Sequence, residues 1–417
     1  MMRFFSILLF FPSISFGLLA AEIFPWAAFY SLIYTRLLNR HIVAIGVVLL
    51  LSTLFTLSDS FIDGGVNTDM LRSFAAYANV LLIFQCILYL SHRNILKLIY
   101  ISKAVFLFLL GLGFLQLIGS DILGSFIKLI VPRGEGTALI DSGRGVTLFA
   151  TEPARAGIEL TLIYLIIRMT LLNGRSIHPM DMLIIVYQIV IIKSTSSVAF
   201  TMIAIAIMML QYPKNYKIIV GFFLLSIFTL SVFSHGRASV LFSTLLEYEN
   251  YKDALFFLIN ESGNRLIALY AFILSGFNHL LGHGVGNWQE ASIIAVKESG
   301  FDYSSLRFFD VHSDGELSSF RGPGIISNLM LDIGLIGIII VYYSFSRALK
   351  GIAKGTRVKK AVILIFLFKI LLFGSPGNPI PLIMLALVLR YEDIKHHAAD
   401  NRILSLNIKK LSKTRSY

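Results

Sequence analysis

Arg321-Gly-Pro-Gly-Ile325-Ile-Ser-Asn-Leu-Met-Leu-Asp332-Ile-Gly-Leu-Ile-Gly337-Ile-Ile-Ile-Val-Tyr-Tyr-Ser-Phe-Ser346 passes within four residues from polar chain into an apolar run, 325–346, whose one charge is Asp332. About 20 apolar residues in a helix cross the hydrocarbon core of a bilayer. The run is continuous, with none of the apolar–polar alternation of a barrel strand, and a helix satisfies its own backbone in lipid. This stretch therefore reads as a membrane-spanning helix. The chain on either side divides around it: a polar interval, 235–323, lies before it, and further apolar runs follow.

The whole chain follows suit. It has 417 residues, 56% hydrophobic and 14% charged, with mean hydropathy +0.78; soluble domains carry about 25% charged residues. Apolar runs at 4–20, 22–36, 42–57, 74–91, 98–118, 157–172, 181–193, 198–211, 217–234, 325–346, 361–374 and 379–390 predict an all-α, polytopic membrane protein of about twelve spans. Arg3 precedes the first run in the manner of a signal peptide, but hydrophobicity resumes at Ile23, which favours an uncleaved helix. The expected parts are a bundle over 1–234 with a loop at 119–156, a large loop over 235–324, and helices with a basic tail over 325–417. The single cysteine, Cys86, excludes a disulfide within the chain and reads as a small buried apolar residue.

A net charge of +12 raises the question of nucleic acid. Its distribution answers otherwise. Arg36, Arg40, Arg93, Lys97, Arg175, Lys214 and Lys217 fall in loops on one side, as do Arg347 to Lys360 and the tail from Lys395. Lys and Arg collect on the cytoplasmic side. Both termini are thus expected inside, with loops 119–156 and 235–324 outside. Loop 119–156 nevertheless carries Lys128, Arg133, Arg144 and Arg155. These are either solvated or a site for an anion, because guanidinium groups bind phosphate with two parallel hydrogen bonds.

Three segments hold side chains suited to chemistry. Arg144-Gly-Val-Thr-Leu-Phe-Ala-Thr-Glu152-Pro-Ala-Arg155 ends where Pro153 suits a first helical turn. Glu152 there is either a favourable charge at the helix N-terminus or a site carboxylate. Ser262-Gly-Asn-Arg265 opens a short apolar run leading to Gly282-His283-Gly-Val-Gly-Asn287, a turn whose backbone amides can approach an anion. It lacks the strand and spacing of a dinucleotide fingerprint. His312, with Asp314 and Glu316 beside it, is a candidate general base or a solvated residue, and Arg321 follows. No pattern suggests a metal or cofactor. Glu159, Lys193, Asp332 and Lys369 are charges inside predicted spans, the kind of residue that ion-coupled transporters place at mid-membrane.

In their order, Arg144…Glu152-Pro153, Arg265 ahead of Gly282-His-Gly-Val-Gly-Asn287, and His312 before Asp332-Ile-Gly-Leu-Ile-Gly337 resemble the O-antigen polymerase (Wzy-type) and O-antigen ligase superfamily. Ala154 stands where that family often has serine after Glu-Pro. The resemblance implies a transferase of the bacterial inner membrane that moves an undecaprenyl-diphosphate-linked glycan to an acceptor sugar at the periplasmic face. The product would be O-antigen, capsule or exopolysaccharide. It implies Arg144, Arg155, Arg265, Arg321 and His283 as contacts to diphosphate or glycan, His312 or Glu152 as base, and the lipid tail in a groove between helices. It also implies a chain-length regulator and a flippase as partners, and neither a cofactor nor nucleic acid. Ligation to lipid A-core and transport of lipid-linked sugars are the alternatives.

Overall fold

The computed structural model describes residues 6–11, 14, 39–62, 68–118, 120–131, 145–172, 178–210, 250, 257, 259–260, 264–301, 303–322, 324–350, 357–373 and 378–395. The architecture over them is all-α, in keeping with a multi-pass membrane protein. Among the described residues four stretches are long and apolar enough to cross a membrane: Arg40–Ser58, Met70–Leu90, Asn94–Ile118 and Ile325–Ala348. Shorter apolar helices stand at Pro179–Ile192, Thr195–Leu210 and Arg265–Asn278. The expected spans at 22–36 and 217–234, most of that at 4–20, and Arg144 lie outside the described residues.

In chain order the helices are α1 (Arg40–Ile62), α2 (Thr68–Ile118), α3 (Ser120–Ile130), α4 (Pro153–Thr170), α5 (Pro179–Tyr187), α6 (Thr195–Leu210), α7 (Asn264–Asn278), α8 (Trp288–Glu298), α9 (Arg307–Ser313), α10 (Ile325–Ala348), α11 (Arg357–Leu372) and α12 (380–395). The runs expected as two spans at 74–91 and 98–118 recur as the two candidate spans Met70–Leu90 and Asn94–Ile118, joined within α2 by a kink at Asn94 (φ −137°) with no loop between them. Arg93 and Lys97 therefore sit at a bend rather than in a loop. Hydropathy marks charges that interrupt an apolar run but cannot say whether the backbone leaves the helix there.

The main core joins α2, α4, α5, α6, α11 and α12, with Leu160, Tyr164, Phe200 and Leu385 fully buried. Cys86 is buried among them. An arginine–aspartate pair lies inside this apolar mass. Arg168 donates from Nε and Nη2 to the two carboxylate oxygens of Asp181 at 2.9 and 3.2 Å, and the Tyr164 hydroxyl donates to the same carboxylate. Asp181 also accepts the His178 amide at 2.8 Å, while His178 Nδ1 accepts the Met180 amide. That reciprocal arrangement caps α5, with Pro179 in its first turn. A buried pair is tolerable only when its hydrogen-bonding capacity is filled, and here it ties α4 to α5. After Tyr187 the chain makes a π-helical turn, Gln188–Ile192, that ends at Lys193 in a left-handed conformation (φ 49°). Lys193, expected inside a span, is exposed at this turn.

A smaller core belongs to the polar interval. Ile267, Phe272, Ala295, Leu306 and Phe309 pack with Leu331 of α10, so the helices before α10 lie directly against it. α7 is seated closely on α10: a Cβ on Gly276 would stand 2.7 Å from the Met330 carbonyl oxygen.

Candidate functional site

The glycine turn after α7 and the middle of α10 form one construction. α10 breaks at Gly334 (φ 61°, ψ −170°). In an unbroken helix the Asp332 carbonyl would accept the Ile336 amide. Here that amide donates to Leu280 O at 3.0 Å, and Asp332 O accepts Gly284 N at 3.0 Å and Ser52 Oγ at 3.1 Å. Leu331 O accepts His283 N at 2.8 Å, and Val285 N donates to Ser52 Oγ at 3.1 Å. The Asp332 side chain takes the Tyr77 hydroxyl at 2.7 Å and the Gly286 amide. The turn whose amides looked ready for an anion thus spends them on the free carbonyls and carboxylate of a broken helix. In apolar surroundings each of those groups must find a partner.

His283 is held by the same turn. Its Nε2 lies 2.9 Å from Ser275 Oγ, and its ring is 4.3 Å from that of His279. His279 Nε2 is 2.6 Å from Glu298 Oε1. Burial, and secondarily the neighbouring His279, push the His283 pKa below the ordinary histidine value, against the smaller opposing effect of Glu298.

The arginines come from three segments far apart in sequence, and each has polar or aromatic company. Arg155, in the first turn of α4, reaches Glu159 at 3.2 Å; Glu159 also accepts Asn378 Nδ2 at 2.7 Å and feels the charge of Lys369. Lys369 in turn donates to Phe373 O at 2.7 Å. Over the Phe373 ring, at 5.6 Å, lies the Arg265 guanidinium, which also donates to Ser196 Oγ at 2.8 Å. Arg321 donates to Ser73 Oγ at 3.0 Å, lies 4.7 Å over the Trp288 ring, and acts electrostatically on Asp332 and Tyr77.

Packing brings these groups toward one another. Phe320, next to Arg321, stacks on Phe272 at 5.4 Å, two helical turns along α7 from Arg265. Gly324 abuts the Leu371 carbonyl, two residues before Phe373. Asn328 locks the approach by donating to Gly322 O and Gly324 O at 2.7 and 2.6 Å. The beginnings of α4, α6, α7 and α10 and the end of α11 thus share one end of the bundle, where Arg155, Arg265 and Arg321 are gathered.

The remaining candidates are Arg144, which lies outside the described residues, Glu152 and His312. Arg144 precedes a segment fixed by Gln116, which exchanges two hydrogen bonds with the Leu148 backbone, and by Val146 N donating to Ile191 O. Glu152 is the exposed residue before α4, and its side chain makes no capping bond. His312 lies within a short helix, α9, rather than a loop; it is exposed, with its ring edge-on to Phe308 at 4.8 Å. Phe308 continues to Phe320 at 5.3 Å, which connects His312 to the neighbourhood of Arg321 through two aromatic rings. Ser73, Tyr77, Ser196, Trp288 and Asn378 were not singled out from sequence. They are ordinary residues of apolar helices and turns, and only the packing gives them charged partners.

Among the described residues no group of His, Cys, Asp and Glu is disposed to hold a metal ion. Compared with known protein families, curated proteins and solved structures, the chain matches none.

Proposed function

We propose that this chain is a glycosyltransferase of the bacterial inner membrane that polymerises polyprenyl-diphosphate-linked oligosaccharide repeats at the outer face. The observation that carries the reading is the gathering of Arg155, Arg265 and Arg321 at one end of an apolar bundle. The reaction breaks the bond between the anomeric carbon and the diphosphate and makes one to an acceptor hydroxyl. The electron pair leaves with the diphosphate, and the hydroxyl proton passes to a base. Guanidinium groups held in place before the reaction stabilise the charge that grows on the leaving group. His312 and Glu152, both exposed, are the proposed bases, with Arg144 a further contact to the diphosphate.

A carrier of lipid-linked sugars is the second reading. It draws on the break of α10 at Gly334 beside buried Asp332, because discontinuous helices build the sites of many transporters.

One experiment separates the readings. A deletion strain complemented with the wild-type chain should regain long-chain surface polysaccharide on a gel. Arg265→Lys combined with Arg321→Lys keeps both charges but loses the planar fork. At normal protein level it should leave single-repeat material and no long chains. Full-length polymer from this variant would reject the arginine site. Bare lipid A-core beside intact polymer would indicate a ligase, and lipid-linked glycan retained inside would indicate a carrier.

A further inference from the structure

α7 carries no charge after Arg265, yet at and just beyond its end three large apolar side chains lie uncovered: Phe277 is 54% exposed, Leu280 50% and Leu281 72%. They belong to the interval 235–324, which reads from sequence as a loop outside the membrane. An exposed apolar patch marks a surface that something covers.

Depth says what covers this one. The Leu280 carbonyl accepts the Ile336 amide at 3.0 Å. Ile336 is the twelfth residue of the 24-residue α10, so about 17 Å of helix lies on either side of it. In a hydrocarbon core about 30 Å thick, the middle of such a span stands among acyl chains. α1 gives a similar level. Ser52, which bonds to Val285 N and Asp332 O, is six residues, or about 9 Å, inside the span Arg40–Ser58. Ile336 and Ile339 of α10 are exposed as well, so the uncovered leucines continue the outward face of a span.

The turn suits that depth. Non-helical backbone is tolerated in a bilayer where protein holds its polar groups, and the His283 and Gly284 amides and the Leu280 carbonyl are all bonded to α10. The polar side chains beside the patch are paired or long. Asn278 and His279 meet Glu298 at 3.5 and 2.6 Å. Exposed Lys297 has a stem that can carry its charge to the headgroups.

We propose that α7 and the turn 279–286 form a re-entrant element: it dips from the arginine end of the bundle into the adjoining leaflet and sets Leu280 and Leu281 against lipid acyl chains. The interval between α6 and α10 thus reaches into the bilayer. The inference does not depend on the transferase reading.

The test is made on the full chain in vesicles of phosphatidylcholine and phosphatidylglycerol. Cys86→Ala removes the native thiol, and one introduced cysteine carries an environment-sensitive fluorophore. At Leu281→Cys the emission should shift to the blue, be quenched by nitroxide-labelled acyl chains and be shielded from aqueous iodide. Ile339→Cys on α10 should behave alike. Asp310→Cys, exposed in the first turn of α9, should show the reverse. Phe277→Cys decides in its place if Leu281→Cys fails to insert. Quenching by iodide and not by lipid would put the patch in solvent and overturn the proposal. Shielding from both quenchers would put it against protein, a second copy of the chain included, and would overturn it equally. If Ile339→Cys also escaped the lipid quencher, the proposal would fall together with the membrane reading of α10.

Discussion

Arg168 and Asp181 are both fully buried and pair at 2.9 Å across α4 and α5. Replacing Arg168 by Leu would leave the Asp181 carboxylate without its counter-charge, which costs about 3–5 kcal/mol at a buried pair. Thermal unfolding in detergent should show a large drop for Arg168→Leu. Arg168→Leu with Asp181→Asn should recover part of it. His283 offers a test by pH. Its folded pKa lies below the usual value near 6.5, so as pH falls the unfolded chain takes up the proton first. Stability is therefore full above the ordinary histidine range and is lost as pH drops below it. The melting temperature should fall between pH 7 and pH 5, and His283→Asn should show a smaller fall across that interval.

At the scale of elements, the long spans were legible because hydrophobicity alone demands them: 42–57 lies within α1 (Arg40–Ile62), and 325–346 reappears as α10 (Ile325–Ala348) to within two residues. Pro153 likewise starts α4. The form of the interruptions was hidden. Asn94 bends α2 with no proline or glycine to announce it. Gly334 looks like one small residue among several in Asp332-Ile-Gly-Leu-Ile-Gly337, and only the turn 282–286, about 50 residues earlier, supplies the bonds that permit a break there. Gly282 is the test of that dependence. Its φ is +73°, and a Cβ would stand 2.5–2.6 Å from backbone atoms of Asp332 and Gly334. Gly282→Ala should destabilise the protein by about 2 kcal/mol or more, read as a lower melting temperature. An unchanged melting temperature would mean that the turn does not hold α10 open.

For the molecule as a whole, the arginines could be named from sequence because the distribution of Lys and Arg leads us to expect their loops on the side where positive charge is disfavoured. Their convergence could not be read, since Ser196, Phe373, Ser73 and Trp288 meet them only through packing across 33 to 248 residues of chain. Hydropathy likewise carries no record of which helix ends touch. Lysine at these positions would preserve the net charge of this end while losing bidentate geometry, which distinguishes a phosphate site from a merely cationic surface. The most direct measurement is therefore made on purified protein reconstituted with a polyprenyl-diphosphate-linked repeat unit as the sole substrate. The wild-type chain should produce a ladder of lengthened glycans, with one polyprenyl diphosphate released for each bond made. The Arg265→Lys, Arg321→Lys protein should release less by at least about a hundredfold, the scale of losing a charge-stabilising contact. A wild-type chain that is folded and binds the lipid-linked repeat, yet joins no two units and releases no diphosphate carrier, would contradict the account.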